Sequence, residues 1–371
     1  MNPAHAELMS VGVDEVVITF TSAPGVVVAS RVGEHTVTTT GPFHRVHVRG
    51  LEPDTEYELA VEGVVADRWL PGRVRTLVRP AGALLATVAT ANDVHFGETE
   101  CGRTGDPATD AIGPILSAAP GDPPYPEVMN GAVVGEMARL DPDAVVVKGD
   151  LTDRGLCEQY EAFLRVYGSL GVRMHHVRGN HDAIADPQLA TEGAPYAIEL
   201  EGVTLAVLDT TVPGLVGGAL PTEQIGWLDD LAAGRTGPVL VFGHHPVWNL
   251  DAPERSDPSY VIAFDDSSAL ATMVGRRDNI VGYFAGHTHS NRVFRFERAR
   301  RCPFVEVACT KDYPGAWAEY RVYEGGYTQV MRRVADPAAV AWSERARTMI
   351  QGIYRDLVLG DIEARCFTQL F

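Results

Sequence analysis

The chain predicts a layered α/β sandwich preceded by a small β-sandwich, and three patterns carry that prediction. Residues from about 10 to 78 hold short β-branched or alternating runs separated by Gly, Pro and Thr, as small all-β sandwiches do. From Ala83 onward short apolar strands alternate with helical stretches, and after Ser290 the pattern turns β-rich again. Strands with interleaved helices, then a run of antiparallel strands, argue for stacked layers around a shared core. The expected division is residues 1–80 for the first sandwich and its linker, 81–335 for the layered domain, and 336–371 for a C-terminal helix and tail.

In the first segment the strands are expected at Val16 to Phe20, Val26 to Ala29, Arg45 to Val48 and Tyr57 to Val61. The stretch Leu51-Glu52-Pro53-Asp54-Thr55-Glu56-Tyr57-Glu58-Leu59 resembles the corner of fibronectin type III domains. That resemblance implies that the Tyr57 hydroxyl bonds back to the main chain. The segment holds no catalytic constellation, so a packing or oligomerisation role is expected for it, and a homo-oligomer is among the assemblies it allows. The linker is Thr76 to Gly82.

In the second segment Leu84 to Ala89, Ala144 to Val147, Met174 to Val177, Thr204 to Leu208, Pro238 to Phe242 and Ile280 to Phe284 read as buried strands. Glu127 to Leu140 reads as a helix, and so does a stretch with Thr222 as its expected N-cap, which places Ile225, Leu228, Leu231 and Ala232 on one face and stops at Gly234. Antiparallel strands are expected at Val293 to Phe296, Phe304 to Val307, Trp317 to Val322 and Tyr327 to Val330. The segment 97–126 is rich in Gly, Pro, Asp and Ala with little periodicity. Loops of that length are uncommon unless functional, so it is expected either as a lid or as a surface insertion. Asp336 is expected to cap a helix running to Leu359, whose Trp342, Ala346, Met349, Ile350, Ile353 and Leu357 form an apolar stripe packed on the parent domain.

Composition excludes several classes. At 45% apolar and 22% charged residues, the chain is that of a soluble globular protein with a sizeable core. No run approaches the roughly eighteen apolar residues of a membrane span, and Met1 to Glu7 lacks the features of a secretory signal. Thirty-one basic against forty-nine acidic residues give a net charge of −18, which repels nucleic acid and anionic membranes, so neither is an expected partner. Five scattered cysteines without CxxC spacing argue for a reducing compartment and against a thiolate metal site. A cytoplasmic protein is expected.

The functional signal lies at the strand ends. Asp93-x-His95, Gly149-Asp150-x-x-Asp153, Gly179-Asn180-His181-Asp182, Gly243-His244-His245 and Gly286-His287-x-His289 each follow an expected strand, and they hold six of the twelve histidines. The carboxyl ends of strands are where open α/β sheets bind ligands. One histidine after a strand is ordinary; five such clusters, most beside a glycine, are not what packing requires. Imidazole, carboxylate and one carboxamide without thiolate suit Mn, Fe or Zn rather than Mg or Ca. The ligands outnumber what one tetrahedral ion needs, so two divalent or mixed-valence ions roughly 3.5–4 Å apart, sharing a carboxylate, are expected.

These motifs, in this order over Leu84 to Asn291, resemble the calcineurin-like metallophosphoesterase superfamily. The resemblance implies a four-layer α-β-β-α sandwich. It implies a first metal on Asp93, His95 and His289, a second on Asn180, His244 and His287, and Asp150 bridging both. His181 matches the family's non-ligand catalytic histidine, with Asp182 expected to support it. His245 falls beside the ligand His244 and is expected at the substrate. Asp153 is expected to hold the loop or a histidine. Arg178, Arg154 and Arg292 flank the motifs; each is expected either to touch substrate or to serve a structural ion pair. The chain departs from purple acid phosphatases, which use a tyrosine where it has Asp153 and an aspartate in place of His95. Gly149 to Gly155, Leu208 to Gly214 and the Gly-His-x-His motif look most similar to class III cyclic-nucleotide phosphodiesterases and their glycerophosphodiesterase cousins.

The expected reaction is phosphodiester hydrolysis of a small molecule. Two cations acidify a bridging water, the hydroxide attacks phosphorus, and protonated His181 protonates the departing oxygen. The same core would serve a phosphomonoesterase, and a metal-binding scaffold without catalysis is the remaining alternative.

Overall fold

Seven strands between Ala4 and Arg75 build two facing sheets, one ordered Ala4–Val11, Glu15–Thr21, Phe43–Arg49 and the other His35–Thr40, Val27–Val32, Glu56–Val61, Arg73–Arg75. The structure is a computed structural model that describes residues 3–103, 107–191 and 193–371. Ile18, Val28, Val32, Val46, Leu59 and Val61 fill the space between the sheets. The Tyr57 hydroxyl accepts a hydrogen bond from the Glu52 amide at 2.8 Å, closing the corner. Three of these strands escape a reading by apolar alternation. His35–Thr40 is a threonine-rich edge with mostly exposed faces, Arg73–Arg75 buries a single valine, and Ala4–Val11 begins exposed and ends buried on both faces.

Two six-stranded sheets follow. The first runs Met174–Val177, Ala144–Lys148, Leu84–Ala91, Ala316–Tyr323, Gly326–Arg333, Cys366–Leu370. Its first three strands are parallel and the others antiparallel. The second runs Tyr196–Leu200, Val203–Val207, Val239–Phe242, Ile280–Ala285, Pro303–Glu306, Arg292–Arg295, with four parallel strands flanked by antiparallel edges. Central parallel strands are covered on both faces, which is why Ala144–Lys148 and Val239–Phe242 are unbroken apolar runs up to their ends. The inner faces meet through aromatic rings, with Phe284 4.7 Å from Tyr320 and 5.9 Å from Tyr327. Helices Tyr125–Leu140, Cys157–Tyr167 and Pro337–Ala346 cover the first sheet, and Thr222–Ala233 and Phe264–Val274 the second. This is the four-layer α-β-β-α order, with a small β-sandwich before it.

The C-terminal segment differs from the expected single helix. Asp336 caps Pro337–Ala346 by accepting from the amides of Ala338 and Ala339, but the chain then breaks at Gln351 and Gly352, both in the left-handed region (φ 53° and 87°). A short helix Tyr354–Val358 follows, and Cys366–Leu370 ends the chain as a strand of the first sheet. Trp342, Ala346 and Met349 are buried as expected, whereas Ile353 and Leu357 are about half exposed because the break turns their face outward. Thr222 begins its helix without a side-chain cap; Pro221 precedes it.

In the segment 97–126, residues 104–106 lie outside the described residues. Cys101 and Leu116 exchange both main-chain hydrogen bonds (2.8 and 2.9 Å), and the Gln351 amide donates to the Gly113 carbonyl. The first sandwich packs on the first sheet and the C-terminal segment. Arg347 pairs with the buried Glu7, Arg365 donates to the carbonyls of Leu8 and Met9, and Arg332 joins Glu15 to Glu319. Among the described residues no helix is long and apolar enough to cross a membrane.

Candidate metal centre

The five junctions converge at the carboxyl ends of neighbouring strands in both sheets. Asp93 and His95 leave Leu84–Ala91, Asp150 leaves Ala144–Lys148, Asn180 and His181 leave Met174–Val177, His244 leaves Val239–Phe242, and His287 and His289 leave Ile280–Ala285. Asp93, His95, Asp150, His287 and His289 all have φ between 45° and 71°. Non-glycine residues adopt that region rarely, and clusters of them mark functional sites. The reversal turns side chains from adjacent strands toward one point.

Asp150 sits at the centre. One carboxylate oxygen lies 3.5 Å from His95 Nε2 and the other 3.4 Å from His244 Nε2. The His181 amide donates to the second oxygen at 3.0 Å. Burial alone would raise the Asp150 carboxyl, but His244, His181 and His95 around it hold it well below the usual carboxylate range. On one side, ligand atoms of Asp93, His95 and His289 lie within 4.8 Å of one another; on the other, Asp93, Asp150 and His244 do the same, as do His244, His245 and His287. The Asn180 carboxamide oxygen is 3.2 Å from His244 Nε2.

The imidazoles are aimed. His244 donates from Nδ1 to the Lys148 carbonyl (2.9 Å) and His287 from Nε2 to the Ser259 carbonyl (3.2 Å). His289 donates from Nδ1 to the Asp312 carboxylate (3.3 Å), which leaves Nε2 3.8 Å from Asp93. Fixing the outer nitrogen of a histidine selects the tautomer whose inner nitrogen can bind metal. Burial pushes the His287 imidazole down to about 3, helped by His244; at His244 burial acts the same way, but Asp150 outweighs it and holds the ring up at about 9. Both ring nitrogens of His95 and Nδ1 of His287 are buried without a hydrogen-bond partner. Unpaired buried polar atoms are costly, and a cation on the inner nitrogens would satisfy them. The donor set fits two metal ions.

Other expected site residues sit differently. His181 directs Nδ1 at the main-chain carbonyl of Asp153 (2.7 Å), so Asp153 orients it through its backbone, while the Asp153 carboxylate lies 3.5 Å from Arg154. Asp182, expected to support His181, does not touch its ring. It accepts from the amides of Leu151, Thr152 and Gly179 and from the Thr152 hydroxyl, because the turn His181–Ala183 points successive side chains apart. It ties two ligand loops together instead. His245, expected at the substrate, is fully committed. Its Nε2 donates to the Val216 carbonyl and its Nδ1 accepts from the Thr210 hydroxyl.

Arg178 is buried and bound to Asp209 (2.8 Å) and the Pro187 carbonyl. Arg292 lies 3.8 Å from the buried Glu306. The Arg154 side chain is 73% exposed and that of Arg292 51%. Sequence reasoning missed Asp312. It lies six residues beyond the end of the strand Pro303–Glu306, and no glycine or histidine stands beside it to draw notice.

A family model for calcineurin-like phosphoesterases matches residues 87–291, more than half of the chain. The chain is 31% identical over 184 residues to a glycerophosphodiester phosphodiesterase of Enterobacter lignolyticus, covering 46% of this chain and 65% of that protein. It is 31% identical over 162 residues to a cAMP/cGMP dual specificity phosphodiesterase of Mycobacterium tuberculosis (40% and 49%), and 29% identical over 194 residues to a 3',5'-cyclic adenosine monophosphate phosphodiesterase of Pseudomonas aeruginosa (50% and 68%). The matched stretches thus span about half to two thirds of those relatives. A dimetal phosphatase from Danio rerio shares the fold at 15% identity, with a TM-score of 0.54 over 68% of this chain and 98% of that one. With the motifs, the layer order and the family model in agreement, this chain belongs to the calcineurin-like phosphoesterase family.

Proposed function

We propose that the protein is a dinuclear-metal phosphohydrolase acting on small organic phosphodiesters of the cyclic-nucleotide or glycerophosphodiester type. The observation that carries this reading is the placement of one buried carboxylate, Asp150, between the His95 and His244 imidazoles at 3.5 and 3.4 Å. Asp93, His95 and His289 would hold the first ion, Asn180, His244 and His287 the second, and Asp150 both; Mn, Fe and Zn suit these donors. When bound, two such ions neutralise phosphoryl oxygens and acidify a water.

The protein's own contribution to the chemical step is His181. With its Nδ1 proton held on the Asp153 carbonyl, Nε2 is the atom that passes a proton to the departing alkoxide as the phosphorus–oxygen bond breaks. Asp182 holds the Gly179 and Leu151–Thr152 loops in register, and His245, through Thr210 and the Tyr283 hydroxyl, fixes the turn that presents His244. The diester preference is supported by the names of the relatives, each described as a phosphodiesterase.

The test compares bis(p-nitrophenyl) phosphate with p-nitrophenyl phosphate in the presence of Mn, followed by a panel of cyclic nucleotides and glycerophosphodiesters. Faster turnover of the diester is expected. A clear preference for the monoester would replace this reading with a phosphomonoesterase, and no turnover of either with metal bound would leave a scaffold.

A further inference from the structure

The imidazoles that face the metal centre are not anchored alike. His244 and His287 each give their outer N–H to a main-chain carbonyl, and His95 makes no hydrogen bond through either nitrogen. His289 alone among these ligands uses a carboxylate, that of Asp312. Asp312 is 1% exposed and accepts from three donors at once. His289 Nδ1 approaches one oxygen at 3.3 Å, the Cys309 thiol approaches the other at 2.8 Å, and the Tyr354 hydroxyl lies 3.1 Å from both.

Tyr354 comes from the C-terminal segment, immediately after the break at Gln351 and Gly352 where an uninterrupted helix was expected. That break also carries the Gln351 amide to the Gly113 carbonyl of the 97–126 segment. Next to Asp312, Lys311 is bound to Glu98 of the same segment, and the Trp342 indole donates to the Lys311 carbonyl. The short stretch Cys309 to Asp312 is therefore where the C-terminal segment, the 97–126 segment and a metal-facing histidine meet.

We propose that Asp312 is a positioning residue of the metal centre, holding His289 as the tautomer whose Nε2 faces Asp93, and that Tyr354 sets the orientation of Asp312. The inference rests on the dinuclear reading above and adds a dependence of one ion, the one held by Asp93, His95 and His289, on the C-terminal segment. A carboxylate behind a ligating imidazole fixes its tautomer and raises its basicity, and removing such a partner typically weakens metal binding about 10–100-fold. Of the named ligands Asp312 hydrogen-bonds only His289, so the effect is expected at the ion that His289 holds.

The experiment is an equilibrium titration of the full chain with Mn, read as bound Mn per chain, for the wild type, Asp312→Ala, Asp312→Asn and Tyr354→Phe. Each variant's melting temperature is measured without metal alongside. The wild type is expected to take two ions. Asp312→Ala should need about 10–100-fold more Mn to fill one site with the other unchanged. Asp312→Asn, whose carboxamide oxygen still accepts the Nδ1–H, should recover part of the loss, and Tyr354→Phe should shift the same site in the same direction by less. Wild-type occupancy of both sites in Asp312→Ala overturns the inference and leaves the metal centre standing. If Asp312→Ala fails to fold, equal weakening of both sites in Asp312→Asn and Tyr354→Phe overturns it as well, since it would mark a merely structural role. Failure of the wild type to bind two ions overturns the dinuclear reading itself.

Discussion

Asp150 and His181 divide the work at the scale of single residues. Asp150 contacts both histidine clusters with its carboxylate, whereas His181 donates its main-chain amide to that carboxylate, and the His181 ring, which lies within 4.8 Å of it, is the group proposed to transfer the proton. His181→Ala is therefore expected to fold and to bind metal like the wild type while losing about 10²–10⁴-fold in turnover of a diester with a poor leaving group. Metal analysis and kinetics on the same preparation check both halves. The side chains of this site were legible because imidazole and carboxylate beside a glycine at a strand end have few structural uses. Their orienting partners were not, because the carbonyls of Lys148, Asp153 and Ser259 belong to the main chain and leave no mark on the sequence. Asp182 shows the opposite error: adjacency in the chain suggested contact with His181, and the turn separates them.

At the scale of elements, the strand-to-loop junctions depend on glycine for a steric reason. A Cβ on Gly179 would fall 2.3 Å from the Asp150 carboxylate, 2.4 Å from the Asp150 amide nitrogen and 2.7 Å from His244 Nε2. Side chains do not approach that closely, so Gly179→Ala must displace the loop or the carboxylate. The expected outcome is loss of metal affinity out of proportion to the loss of stability, checked by comparing bound Mn with the thermal midpoint of the metal-free protein. Gly149 meets the same limit against His244, 2.3 Å from its ring, and adds a φ of +81°. Parallel strands were legible as apolar runs because both their faces are covered. Edge strands such as His35–Thr40 and Cys366–Leu370 were not, since half of each faces solvent or a polar neighbour. The helix break at Gln351 was hidden because the apolar spacing continues through it.

Across the whole molecule, buried ion pairs join apolar packing at the seam between the first sandwich and the first sheet. Glu15 receives Arg332 and His47. Burial would raise its carboxyl, but those two partners bring it down from 4.5 to about 2. A carboxyl depressed on folding stabilises the folded state above its unfolded pKa, and that stabilisation is lost as pH falls through the folded value. The contribution, roughly 3 kcal/mol at neutral pH from the size of the shift, should thus fade between about pH 4.5 and pH 2. Glu15→Gln should lose it at pH 7 and show a flatter acid limb in urea unfolding followed against pH; an unchanged limb would mean that Glu15 does not carry the acid sensitivity of this interface. The two-sandwich order was legible from composition along the chain, but this seam was not, since its partners lie more than three hundred residues apart in the sequence.

Strand ends from two sheets bring two ligand clusters around one carboxylate, that of Asp150. Anomalous diffraction from crystals grown with Mn tests it most directly. Two Mn peaks per chain are expected to flank the Asp150 carboxylate, one beside Asp93, His95 and His289 and the other beside Asn180, His244 and His287, with both weakened in Asp150→Asn. A single peak, or two peaks that Asp150 does not touch, would contradict it.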